Sequence, residues 1–249
     1  MSRLEDLRQA RDGLKVLTTG RQQLVAAVDL GASKVSCFIM RPDGVNRSGR
    51  TLQTAGVGYV QSRGVRAGVI VDPEQAVEAI AQAVERAEAI AGVSVSGVTV
   101  ATAGQLQSCR VSSSVSLGAR PIVEADCARA IGAAVAQVRQ PGRRQIHLLP
   151  VSWSVDAQKN VRDPRTMFGR VLGLELLVVS INEAAFNTLG HCIERAHLQF
   201  EGAVAAPFCS ALSALEDDEM ELGSICVDMG GGSTSVAVFS NGAMIHVDS

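Results

Sequence analysis

The stretch that decides the fold is ICVDMGGGSTSVAVF, residues 225–239. An apolar run ends in a carboxylate, Asp228, passes through three glycines and two hydroxyl residues, and returns at once to apolar residues. Residues 25–38, VAAVDLGASKVSCF, repeat the pattern around Asp29. Beyond each glycine the apolar residues resume at every second position: Val35, Cys37 and Ile39 in one, Val236 and Val238 in the other. That period belongs to strands, so each segment is read as a β-hairpin with glycine in its turn. G-x-G-x-x-G opening a helix and G-x-x-x-x-G-K-[ST] are both absent, which excludes the two familiar helix-opening phosphate loops.

Glycine permits positive φ in a turn and leaves backbone N–H groups unshielded. Successive N–H groups pointing one way form an anion nest, and Ser33, Ser233 and Thr234 add hydroxyl donors. A carboxylate beside such a nest repels a polyphosphate by about 4 kcal/mol at ~4 Å and an effective dielectric near ~20. The pairing makes sense with a divalent cation between them. Mg²⁺ takes a carboxylate or two, phosphate oxygens and waters, so Asp29 and Asp228 are the expected Mg²⁺ residues, through water. Two such loops facing each other would clamp a nucleoside polyphosphate from both sides. The plainer reading of one loop alone is an Asp that stabilises its own turn; two loops in corresponding places weigh against it. For Lys34 two readings stand, a phosphate contact and a solvated lysine.

Working outward, residues 25–30, 35–40 and 51–60 read as strands. VDPEQAVEAIAQAVERAEAIAG, residues 71–92, reads as a helix: Asp72 caps it, Pro73 opens it, Gln75 closes a capping box, and Gly92 stops it. Val77, Ile80, Val84, Ala87 and Ala91 share a face. GLELLVVSI (173–181) reads as a buried strand, and Asn182 caps a helix carrying Ala185, Leu189, Ile193 and Ala196. A strand near 202–206 leads through Pro207 into a helix with Phe208, Leu212 and Leu215 inward. EDDEMELG (216–223) reads as an acidic turn before strands at 224–228, 235–240 and 243–247.

With residues 93–172 set aside, the order is three strands, helix, strand, helix, strand, helix, and then three strands again. This is a ribonuclease-H-like α/β unit followed by the opening of a second copy. Its two Asp-Gly hairpins lie 228 − 29 = 199 residues apart, and internal duplication organises the chain. The expected units are a leader at 1–23, a first lobe at 24–92 and 173–215, an inserted α+β subdomain at 93–172, and an incomplete second lobe at 216–249. In the insertion, residues 124–138 read as a helix with Ile131, Val135 and Val138 on one side. The insertion is too long for a loop and is expected to fold on its own when excised as 93–172.

Other classes are excluded. The net charge of −2 carries no basic excess, so nucleic acid is not an expected partner. The six cysteines show no C-x-x-C or paired-histidine spacing and read as reduced cytosolic thiols. No apolar run reaches the ~20 residues of a membrane span. For residues 1–23, with Leu4, Leu7, Leu14 and Leu17 at spacings that suit a helix, the readings are a loosely ordered leader and a docking or membrane-surface helix.

These loops and this strand order resemble the actin-like ATPases, and within them the bacterial cell-division FtsA family. SRGVRAGVIVDPEQAVEAI (62–80), DPRTMFG (163–169) and DDEMELGSICVDMGGGSTSVAVFSNG (217–242) carry the likeness, which runs from about Leu24 to Ser249. The insertion lies where that family carries its 1C subdomain. The resemblance implies ATP with Mg²⁺ as ligand. Asp29, Gly31, Ala32 and Ser33 match phosphate-1, with Lys34 following. Asp228, Gly230, Gly231, Gly232, Ser233 and Thr234 match phosphate-2. Ala206, Pro207 and Ser210 fall in the connect-1 helix. It further implies self-association into filaments, tethering of the tubulin-like FtsZ and other division proteins, and a place at the cytoplasmic face of the inner membrane. Two departures stand out. Ser235 replaces a frequent Asp, and Ala206 replaces the carboxylate or amide that positions the attacking water, so hydrolysis is expected to be slow or absent. Family members continue well beyond the length of this chain. The resemblance places the rest of the second lobe, the adenosine-binding glycines and a C-terminal membrane helix in that further part, so residues 1–249 alone are expected to bind ATP poorly and not to bind membranes. The enzyme alternative is an actin-superfamily phosphotransferase or phosphatase, for which no catalytic acid, base or arginine stands out. The other alternative is a pilus-assembly platform protein of the same fold.

Overall fold

The computed structural model describes residues 24–46 and 49–249; the leader expected at 1–23 lies outside the described residues. The first sheet begins as a meander of β1 (Val25–Leu30), β2 (Lys34–Asn46) and β3 (Gly49–Gln61). A two-residue hairpin follows, β4 (Val65–Arg66) and β5 (Val69–Ile70), and then α1 (Pro73–Ala91). The Asp72 carboxylate accepts from the Gln75 N–H at 3.2 Å, and Gly92 ends the helix at φ 68°. Its buried stripe, Ala76, Ala79, Ala83 and Ala87 with Ile80 and Val84, is small for a reason. A Cβ on Gly58 would meet the Ala83 carbonyl oxygen at 2.0 Å, and one on Gly56 would meet that of Ala87 at 2.2 Å. Helix backbone lies directly on strand backbone.

β6 (Gly97–Thr102) adds to β1 in parallel, and β11 (Gln199–Ala205) adds to β6, giving the order β11-β6-β1-β2-β3. Between β6 and β11 the chain makes a second sheet from β7 (Gln107–Pro121), β8 (Arg143–Val155), β9 (Gln158–Val161) and β10 (Phe168–Asn182), ordered β7-β10-β8-β9. α2 (Glu124–Val135) covers one face of it and α3 (Glu183–Arg195) returns the chain to β11. This corrects the expected boundaries. Residues 97–102, assigned to the insertion, are a central strand of the first lobe, and 173–182, assigned to the first lobe, are the end of the insertion's central strand. The cause is that β10 is buried on both faces. Leu174, Leu176 and Val178 enter one core, and Leu177 and Val179 another. Such a strand is a continuous apolar run in whichever sheet it belongs to. An excised 93–172 would take β6 from one sheet and leave two-thirds of β10 behind. In α2 the buried face is Cys127, Ala130 and Ala134, with Ile131, Val135 and Val138 flanking it.

α4 (Ala206–Ala214) follows β11 directly, then α5 (Asp217–Leu222), β12 (Ser224–Met229), β13 (Thr234–Ser240) and β14 (Ala243–Asp248). The segment expected as an acidic turn is the helix α5. The Glu219 carboxylate accepts from the Glu216 N–H at 2.9 Å, and Met220 is buried. Three acidic side chains in the first turn suit the helix dipole. The last three strands form a sheet whose inner face, Ala237, Phe239, Ala243, Met244 and Val247, shares one core with Phe208 and Ala211 of α4 and with Leu149, Leu177 and Val179 of the inserted sheet.

Candidate functional site

β1–β2 and β12–β13 are the same hairpin twice. Leu30 pairs with Val35 and Asp29 with Ser36; Met229 pairs with Thr234 and Asp228 with Ser235. Each turn closes through the same bond: the Gly31 N–H donates to the Lys34 carbonyl at 3.1 Å, and the Gly230 N–H to that of Ser233 at 2.9 Å. Asp29 and Asp228 thus occupy equivalent positions, one residue before the last of their strands.

The structure brings the two turns together. A Cβ on Gly231 would lie 2.9 Å from Ser33 Cβ, and one on Gly232 would lie 2.6 Å from Ala32 Cβ. The glycines therefore serve a close approach of two loops. The positive φ expected of them is not observed at Gly31, Gly230, Gly231 or Gly232, and a nest built on left-handed glycine is not the basis of the site. Ser33, Lys34, Gly231, Gly232 and Thr234 are exposed at this junction, and Ser233 is half-buried. The β4–β5 hairpin, known from sequence only as part of a family-like stretch, also reaches it. Ala67 and Gly68 form its turn with φ 49° and 70°, and the Ala67 nitrogen lies 3.2 Å from where a Gly232 Cβ would stand.

Asp29 senses the charge of Asp228. Burial, and then the Asp228 charge, hold the Asp29 carboxyl above its ordinary range, against the pull of Lys34. Asp228 is held from the other side by α4, whose Ser210 hydroxyl donates to Asp228 Oδ2 at 2.8 Å. Cys209, the preceding residue, is solvent-accessible but has protein on most sides; that environment and Asp29 push its thiol up to about 11. Neither contact is legible in sequence, because α4 meets the hairpins only through the fold. Ser235, the strand partner of Asp228, is buried, and its hydroxyl has no partner among the described residues.

These residues fit a hydrated Mg²⁺. Two carboxylates of like charge lie near each other, hydroxyl oxygens flank Asp228, and one buried hydroxyl is orphaned beside it. No group of three or more His, Cys, Asp or Glu among the described residues could hold a metal by itself. That suits a cation that keeps waters and takes phosphate oxygens to complete its shell.

The SHS2 domain inserted in FtsA matches residues 103–180, from just after β6 to within β10. The chain is 39% identical to the cell division protein FtsA of Agrobacterium fabrum over 94% of its own length and 55% of that protein. With FtsA of Pseudomonas aeruginosa the identity is 32% over 90% of the chain and 53% of the relative. The chain thus spans about half the length of these curated relatives. Among solved structures, the PilM-PilN type IV pilus biogenesis complex superposes with a TM-score of 0.61 at 13% identity, over 90% of this chain and 60% of that one. At that identity the likeness speaks to fold alone, and the fold is the actin-like ATPase one.

Proposed function

Because the chain belongs to the FtsA family, we propose that it carries the phosphate-gripping part of an actin-like cell-division protein that binds Mg²⁺–ATP and tethers the FtsZ ring to the inner membrane. The observation that carries the nucleotide reading is the pair of like-registered hairpins meeting glycine against loop, with Asp29 and Asp228 close enough to raise one carboxyl. Gly31, Ala32, Ser33 and Lys34 face the phosphates from one side; Gly230, Gly231, Gly232, Ser233 and Thr234 face them from the other. Asp29 and Asp228 would hold Mg²⁺ through water, and the ion would supply charge neutralisation between two carboxylates and a polyphosphate. Ser210 orients Asp228, and Lys34 offsets the charge of Asp29. Ala206 offers no group to orient or deprotonate a water, so this reading is of a nucleotide-controlled assembly protein with slow or negligible hydrolysis. FtsZ, other division proteins and further copies of the chain are the partners in this reading, at the cytoplasmic face of the inner membrane.

Calorimetric titration of a full-length form of the protein with ATP tests it. Asp228→Ala is expected to weaken binding in Mg²⁺ far more than in EDTA, because the metal-bridged contact alone is lost. Equal weakening in both conditions would reduce Asp228 to a turn residue and remove the metal from the reading.

A further inference from the structure

α4 carries Ser210 to Asp228, so whatever sets the position of α4 sets that carboxylate. No side-chain hydrogen bond from its own N-cap residue holds its N-terminus. The Ala205 N–H, at the N-cap, instead donates to Nε2 of His147 at 2.9 Å. His147 belongs to β8 of the inserted sheet, so a side chain from one subdomain grips the helix that serves the cleft of another. Both ends of this bond are buried. The imidazole accepts through Nε2, and its proton therefore sits on Nδ1.

The grip continues through rings. Phe208 meets the His147 ring edge-on, with centroids 5.3 Å apart and planes at 72°. It stacks on Phe239 of β13 with centroids at 6.4 Å and planes at 16°. Leu149 and Val151, the next inward residues of β8 after His147, join the core that holds Phe208, Ala211 and Phe239. A continuous chain of contacts runs from the inserted sheet through His147, Ala205 and Phe208 to Ser210 and Asp228.

We infer that His147 is a positioning residue: it fixes α4 against the inserted sheet and so couples the position of that sheet to the Asp228 carboxylate. This rests on the proposal that the two hairpins grip Mg²⁺–ATP. A partner that displaces the inserted sheet then alters the grip on the nucleotide, and the nucleotide alters the affinity of the inserted sheet for that partner by the same factor.

Three variants, made in a full-length form of the protein, test it. His147→Phe keeps a ring against Phe208 and removes the acceptor. His147→Gln keeps an acceptor where Nε2 stands. Ala205→Pro removes the donor from the other side, at a residue whose φ of −71° suits proline, and it keeps the test open where His147→Phe does not fold. Without nucleotide, the rate at which a small disulfide reagent modifies Cys209 and the amide exchange of residues 228–235 are measured. With nucleotide, ATP affinity is measured in Mg²⁺ and in EDTA. His147→Phe and Ala205→Pro are expected to raise both nucleotide-free rates and to weaken the Mg²⁺-dependent part of ATP binding about tenfold, the scale of one buried hydrogen bond. His147→Gln is expected to restore wild-type values. Wild-type Cys209 and 228–235 rates in His147→Phe, or equal losses in the Phe and Gln variants, would overturn the coupling and leave His147 a core residue. Absence of Mg²⁺-dependent ATP binding in the full-length wild type would instead overturn the nucleotide reading, and the two nucleotide-free readouts would still decide the relay.

Discussion

Gly58 and Gly92 border the same helix and resist substitution for different reasons. A Cβ at Gly58 would press on the Ala83 carbonyl oxygen at 2.0 Å, so Gly58→Ala must lift α1 off the sheet, at a cost of about 1–3 kcal/mol. Gly92 has open space around it but φ 68°, so Gly92→Ala costs about 1–2 kcal/mol in backbone strain alone. Urea unfolding would show both losses, and hydrogen exchange in the middle of α1 should rise for Gly58→Ala only. Burial pushes the His147 imidazole down to about 4 from an ordinary 6.5. The unfolded chain takes up that proton below ~6.5 and the folded chain only near ~4. The contribution of His147 is therefore intact above pH ~6.5 and falls as the pH drops toward ~4, by about 3 kcal/mol at ~1.4 kcal/mol per pH unit. His147→Gln should remove that slope from denaturation curves taken across this window. Asp29 has the opposite sign. Its raised carboxyl means that ionisation costs the nucleotide-free fold stability as the pH rises through that raised value. Asp29→Asn is expected to raise the melting temperature without nucleotide at neutral pH and to weaken Mg²⁺–ATP binding; a fall in melting temperature would show that Asp29 braces its hairpin.

Elements whose signals are local were legible in the sequence. α1 begins at Asp72 and ends at Gly92 as its caps dictate, and Asn182 accepts from the Ala185 N–H at 3.1 Å at the start of α3. Both hairpins were legible because alternation and glycine lie within fifteen residues. What the glycines do was not, since the atoms they make room for belong to a turn 199 residues away. Nor was the sheet to which β6 and β10 belong, because a run buried on both faces names no partner. The start of α2 shows a local signal of a less usual kind. Asp126 accepts from the Val123 N–H at 3.1 Å, from both terminal nitrogens of Arg120 at 2.8 Å, and from Arg129 at 2.9 Å. The Arg120 guanidinium, with the Val123 N–H, holds that carboxyl below its ordinary range. Its contribution to stability is present at neutral pH and is lost as the pH falls through the lowered value. Asp126→Ala should destabilise the inserted sheet more than Arg129→Ala, because it strands both a backbone N–H and Arg120; amide exchange in β7 and α2 would report the difference.

At the scale of the molecule, the unit expected to fold when excised is 103–182. It holds all of β7 to β10 with α2 and should give a dispersed amide spectrum, whereas 93–172 should not. Leu149, Leu177 and Val179, covered in the whole chain by α4 and β14, would be bare in the excised piece, so sedimentation should show concentration-dependent association. The first sheet carries a different consequence. Its strands β1, β2, β3 and β6 are complete by residue 102, yet β11 begins only at Gln199 and is tied to the start of β6 by the Gln199 N–H on the Ser96 carbonyl at 2.8 Å. A ribosome must therefore deliver the whole inserted sheet before the outer strand exists, and β6 waits as a naked edge meanwhile. The insertion sets the clock for finishing a sheet to which it contributes no strand. Its own folding brings the ends of the gap together and spares the closure of a long loose loop. Pulse-labelled refolding should protect β2 and β3 early and β11 late. Asp126→Ala, which weakens only the insertion, should delay β11 further while β2 and β3 keep their pace.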